Sequence, residues 1–168
     1  MSNVKDYIKL LEEDKSFRDW KDSNPDSYLC HCFKMIDEAN ENEWQIGFYN
    51  PNDTITSFLV SEDSVQQMEE SEVFKKPDAQ VKELDLDKVK IDEKQAIGAA
   101  KEFAQKQYPK EVITKQILIL QNLEIGQVYN ITLVTMAMNT LNIKVDSVTR
   151  DIVDNKLTSL MDFAIDRK

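Results

Sequence analysis

Apolar positions along this 168-residue chain follow a helical period and then a strand period, and the switch occurs twice. Within a helix-like stretch Val4–Trp20, Val4, Ile8 and Leu11, spaced by four and three residues, predict a first helix, and Phe17 and Trp20, three apart, a second short turn. Ser16 is a candidate cap for the second part of that stretch, where its side chain would accept from a free N–H. Asn24-Pro25-Asp26 stops the helix, because the residue before a proline is pushed out of the helical region. The period then falls to two. Tyr28–Ile36 is rich in strand formers. Trp44, Ile46 and Phe48 alternate with Gln45, Gly47 and Tyr49 over Glu43–Tyr49, and Thr54–Val60 returns after the turn Asn50-Pro51-Asn52-Asp53. Links this short join antiparallel neighbours.

The second half repeats the plan. Asp92 is a plausible N-cap for a helix over Glu93–Tyr108 that ends at Pro109. Ile97, Ala100, Ala104 and Tyr108 form its stripe with Phe103 beside them, and the small residues around Gly98 predict close approach to a sheet. Val112–Gln121 is a nearly continuous apolar run, as in a central strand. In Gln127–Met138, Tyr129, Ile131 and Leu133 share one face while Asn130, Thr132 and Met136 share the other. Asn139-Thr140 reads as a turn, Leu141–Thr149 as a strand, Asp146–Asp154 as a further turn and strand, and Lys156–Ile165 as the closing segment.

These patterns predict an α+β protein: two helix-plus-antiparallel-sheet units packed into one compact body. The first spans 1–61 and the second 91–168. The stretch 62–90 is read as a connector that packs through Val81, Leu84, Leu86, Val89 and Ile91, since it lacks the Gly/Ser/Pro composition of a free linker.

The second half resembles the PepSY domain. Ile91-Asp92-Glu93-Lys94-Gln95-Ala96-Ile97 matches the opening of that family's helix, and Val145-Asp146-Ser147-Val148-Thr149-Arg150-Asp151-Ile152 stands where it has a Val-Asp-x-x-Thr-Gly-Glu-Val turn. Arg150 and Asp151 replace the Gly-Glu pair; a glycine tolerates a positive φ that Arg150 is not expected to take. The resemblance covers about Val89–Val153, with a fainter echo in Trp44–Val60. It implies a non-catalytic α+β module of a kind that in some members inhibits or regulates peptidases.

Composition narrows the functional classes. A formal charge of −10 with scattered basic residues disfavours a nucleic-acid backbone and an anionic membrane. No apolar run approaches the roughly 20 residues that span a bilayer. The N-terminal stretch Met1–Asp14 lacks the pattern of a secretory signal, so a cytoplasmic location is expected. Gly47, Gly98 and Gly126 are the only glycines, too few and too far apart for a phosphate-binding loop. No cofactor is expected.

The strongest candidate chemistry is Cys30-His31-Cys32. On a regular strand Cys30 and Cys32 point to one face and His31, the only histidine, to the other. That geometry suits neither a Cys-His pair nor a shared metal, and zinc needs three or four protein ligands. Asp85-Leu86-Asp87 on a strand would place both carboxylates on one face, where a solvated role is the simpler reading.

The expected function is therefore a non-enzymatic protein- or peptide-binding or regulatory module, one that modulates a peptidase if the resemblance extends to activity. Its candidate contact residues are Gln45, Tyr49, Asn130, Thr132 and Met136. The alternative is a small metal- or thiol-dependent protein using Cys30, His31 and Cys32. A homodimer with its sheets joined across subunits is a third possibility.

Overall fold

The computed structural model describes residues 3–37, 40, 42–73 and 79–161. Two short helices open the chain, α1 (Val4–Glu13) and α2 (Lys15–Ser23), the second longer than the short turn expected to carry Phe17 and Trp20. Asp14 breaks the continuity with an extended backbone and caps α2, its side chain accepting from Phe17 N–H at 3.0 Å. Ser16 is not the cap; its hydroxyl donates to the Asp14 carboxylate. The break lets Val4, Tyr7 and Leu11 bury on one axis and Phe17 on another.

Strands β1 (Tyr28–Ile36), β2 (Glu43–Tyr49) and β3 (Thr54–Ser61) form the expected antiparallel meander. The stretch read as a connector then adds two short strands outside β3, β4 (Val65–Gln67) and β5 (Ser71–Glu72). Further along it, Leu84 and Val89 bury against the core and Leu86–Lys88 forms a single 3-10 turn. Asp85 caps that turn by accepting from Asp87 N–H at 3.0 Å, so the two carboxylates do not share a strand face.

Helix α3 (Glu93–Gln107) begins with a full capping box, Asp92 accepting from Gln95 N–H and the Gln95 side chain accepting from Asp92 N–H. Its buried side is Glu93, Ala96, Ala99, Ala100 and Ala104, with Ile97 and Phe103 only partly covered. Gly98 does face a close neighbour, but not the sheet. The Arg150 guanidinium crosses the helix there, its Nη2 3.3 Å from where a Cβ would stand and its Nε donating to Gln95 O at 3.1 Å.

Strands β6 (Ile113–Leu123), β7 (Gly126–Thr135), β8 (Asn139–Asp146) and β9 (Ile152–Ser159) follow as a second meander. The β7–β8 turn falls at 136–138, so Met136 lies outside the strand and Asn139 and Thr140 inside the next one. The β8–β9 turn contains Arg150 at φ 72°, the positive value that was not expected of an arginine. Asp146 pins this turn by accepting from Val148 and Thr149 N–H at 2.8 and 2.9 Å. The expected closing segment Lys156–Ile165 is strand as far as Ser159, and residues from 162 onward lie outside the described part.

Among the described residues, the strands form one nine-stranded antiparallel sheet, ordered β4-β3-β2-β1-β6-β7-β8-β9 with β5 also on β3. β1 and β6 pair at its centre, joining the two meanders edge to edge. The core packs on one side of this sheet. Cys32, Trp44, Ile46, Phe58, Leu118, Leu120, Tyr129, Ile131, Leu133, Leu141, Ile143 and Val145 meet the helices there. Phe17, Trp20, Phe48 and Phe58 form an aromatic cluster with centroids 5.2–6.0 Å apart. Among the described residues, no helix is long and apolar enough to cross a membrane.

Candidate binding surface

The helices cover one sheet face, and the strand alternation that buries Trp44, Ile46 and Phe48 sends the alternate residues to the other. One cross-strand row on that second face runs Leu59, Gln45, Phe33, Ile119, Asn130, Lys144 and Asp154. The next row runs Met35, Ile117, Thr132, Asn142 and Lys156. The half toward β3 is mostly apolar and half-buried, with Phe33, Met35, Leu59, Ile117 and Ile119. Part of the reason lies in β6, whose apolar run supplies Leu118 and Leu120 to the core and Ile117 and Ile119 to the open face.

The half toward β9 is a chain of amides. Asn130 Nδ2 donates to Gln121 Oε1 at 3.0 Å, Asn142 Nδ2 to Asn130 Oδ1 at 2.7 Å and to Thr132 Oγ1 at 3.2 Å. Lys144 Nζ closes the chain on Asn142 Oδ1 at 2.8 Å and Asp154 at 3.1 Å. Each side chain fixes the rotamer of the next, so this half presents an ordered polar surface.

Two hollows flank Phe33 and Gln45. One, of about 210 Å³, lies among His31, Phe33, Gln45, Ile119 and Gln121. The other, of about 290 Å³, is bounded by Phe33, Met35, Gln45, Leu59 and Met68 among others. Gln45, Asn130 and Thr132 therefore share one surface. Tyr49 is on the same face but at its far end, its ring 5.4 Å from that of Tyr28 and its hydroxyl bonded to Asp53. That bond to a carboxylate pushes the Tyr49 hydroxyl up to about 12. Met136 is not brought to this surface; it sits in the β7–β8 turn, 70% exposed. Phe33, Leu59 and Ile119 were missed as surface residues, although strict alternation opposite Cys32, Val60 and Leu118 marks them.

Cys30 and His31 are arranged differently from a regular strand. A β-bulge between Leu29 and His31 shifts the pairing of β1 with β2. It brings the Cys30 Sγ to 3.5 Å from His31 Nδ1 and 3.4 Å from Gly47 O, while Cys32 stays in the helix-side core. The sequence expectation that His31 faces away from Cys30 is thus corrected. Burial governs the chemistry of the pair: it pushes the Cys30 thiol up to about 12 and lowers His31, so both are neutral near pH 7. Cys32 is raised still further by burial. A neutral thiol beside a neutral imidazole is not an activated nucleophile. Among the described residues, no group of three or more His, Cys, Asp or Glu side chains is placed to hold a metal ion.

No known protein-family model matches the chain, and no curated protein matches it. Its fold is similar to that of a crystal structure from Clostridium difficile 630 described as a "putative lipoprotein", with a TM-score of 0.56 and 16% identity. The match covers 89% of this chain and 98% of the other. At that identity the likeness is one of fold.

Proposed function

We propose that the protein is a non-enzymatic binding module whose open sheet face takes an extended peptide or a peptide-like segment of a protein partner. The observation that supports this most is the face itself: an apolar strip with two hollows beside Phe33 and Gln45, bordered by a hydrogen-bonded amide chain. Apolar hollows hold side chains and flanking amides fix orientation, the usual division of labour in a recognition site. In this reading the chain is two PepSY-like units, and the pairing of β1 with β6, the first long strand of each half, is in keeping with it. A peptidase or its pro-segment would then be the partner. The test is selection from a displayed random-peptide library on the immobilised protein. Peptides that lose binding when Ile119 is changed to Arg support the proposal; failure to enrich any peptide counts against it.

A second reading rests on the Cys30–His31 contact, which would serve a metal- or thiol-dependent protein. Metal analysis of the purified protein separates the two, since that reading in its metal form requires stoichiometric zinc. The two free, buried cysteines are in keeping with a reducing, cytoplasmic location, whereas the fold neighbour is described as a "putative lipoprotein". Fractionation of cells carrying the native gene decides between them.

A further inference from the structure

The two edges of the sheet are finished differently. Beyond β3, the short strands β4 and β5 cap the edge. At the other end β9 is the last strand, and among the described residues nothing pairs with its outer side. An uncapped strand of this length is a template for another strand.

The register of β9 on β8 shows which of its backbone groups are free. Leu160 N–H donates to Met138 O at 2.9 Å, so the pair Leu160–Met138 is hydrogen-bonded. Bonded and non-bonded pairs alternate along an antiparallel ladder. Thr158, Lys156 and Asp154 therefore bond to β8, while Ser159, Leu157 and Asn155 turn their N–H and C=O groups outward.

The side chains are self-complementary about Asn155. Lys156 follows it and Asp154 precedes it, and Leu157, one step further out, is 38% exposed. We propose that β9 pairs antiparallel with β9 of a second copy, about a twofold axis at Asn155, so that the two sheets become one. Asp154 of each copy then lies opposite Lys156 of the other, twice. Asn155 faces its own copy, and its outward N–H and C=O make the reciprocal bonds of a hydrogen-bonded pair. Neighbouring registers are worse: centring on Lys156 or Asp154 sets like charges against each other. Lysine on an edge strand ordinarily blocks pairing; here its opposite charge is supplied by symmetry. The bulge at Lys144/Val145 makes Val153 the extra residue of β9 and leaves Asp154–Ser159 in regular pairing, so the symmetric contact rests on Asp154, Asn155 and Lys156. Such a closed two-copy contact is isologous and uses up both free edges.

The contact lies at the β9 edge, at the far end of the open face from the hollows around Phe33 and Gln45, so its variants leave those hollows unchanged. Sedimentation of the full chain is the test. The wild type sediments as a dimer that dissociates on dilution. Asp154→Lys and Lys156→Asp each weaken it by about tenfold or more, because each sets like charges opposite twice. An equimolar mixture of the two variants regains the dimer as a mixed species, which also shows that both fold. Asn155→Cys links to its own copy by a disulfide on oxidation, since opposed residues of a bonded pair have Cα atoms about 5.5 Å apart. A cysteine at exposed Val148 does not. A wild type that stays monomeric at every concentration, or a dimer indifferent to all three variants, overturns the proposal.

Discussion

The His31 imidazole occupies the space that a side chain at Gly47 would need: a Cβ there would stand 2.2 Å from His31 Cε1 and 2.5 Å from Nε2. The two residues face each other across β1 and β2, directly beside the Leu29/His31 bulge. Gly47 is thus a packing glycine, the flat ring substituting for the side chain that the strand lacks.

Gly47→Ala is expected to destabilise the protein by about 1–3 kcal/mol, because the ring cannot stay where it is. In a His31→Ala background the same change is expected to be neutral or stabilising, since alanine loses less backbone entropy than glycine. Denaturant unfolding of the four proteins in this cycle measures the coupling. An unchanged penalty in the His31→Ala background would disconnect the pair.

The same ring gives stability a pH dependence. Burial lowers the folded-state value of His31 below its ordinary 6.5, so the unfolded chain takes up a proton first as pH falls. This contribution is complete above about 6.5 and is lost as pH drops from there toward the folded value. Glu93, 4% exposed on the buried side of the first turn of α3, acts in the opposite sense: burial raises it above 4.5, so its charged form costs stability at neutral pH and protonation relieves that cost. Difference curves separate the two. His31→Gln is expected to flatten the loss below pH 6.5. Glu93→Gln is expected to stabilise at pH 7 and to lose that advantage toward pH 4.5. Differences that do not vary with pH would contradict both assignments.

Met138 closes the β7–β8 turn at φ 62° with its side chain 53% exposed. Left-handed backbone costs a non-glycine residue roughly 1–2 kcal/mol. Met138→Gly is therefore expected to raise stability by about 1 kcal/mol, read as a higher denaturation midpoint with an unchanged slope. A lower midpoint would show that the methionine makes contacts worth more than the strain.

Cys30 and Cys32 are both buried and held in the protonated form. At pH 8 the folded protein is expected to react with a thiol reagent at least about a hundredfold more slowly than the unfolded chain. Rapid labelling of one thiol in the folded state would revive a thiol-based role for the bulge.

Much of the architecture follows from local periodicity. Trp44, Ile46 and Phe48, and likewise Tyr129, Ile131 and Leu133, are buried on the faces that alternation assigns them. Asp92 caps α3 because an N-cap signal is contained in four neighbouring residues. What the sequence leaves out is non-local or a matter of one residue's backbone. The pairing of Cys32 with Leu120 joins residues far apart in the chain, and no periodicity encodes it. The bulge that turns Cys30 toward His31 depends on how β1 settles against β2, and alternation assumes no such step. Asp14 and Arg150 act through backbone choices, extended and left-handed, at positions where residue type alone permits others.

The open face around Phe33, Gln45 and Ile119 is the proposed peptide site. The most direct measurement is the dissociation constant of a library-selected peptide for the wild type and for Ile119→Arg, with Val148→Arg on the β8–β9 turn as control. A loss of tenfold or more is expected for the first variant, of the order expected for a charge buried in an apolar contact, and no change for the second. Equal affinity across all three proteins would place the peptide elsewhere and contradict binding at this face.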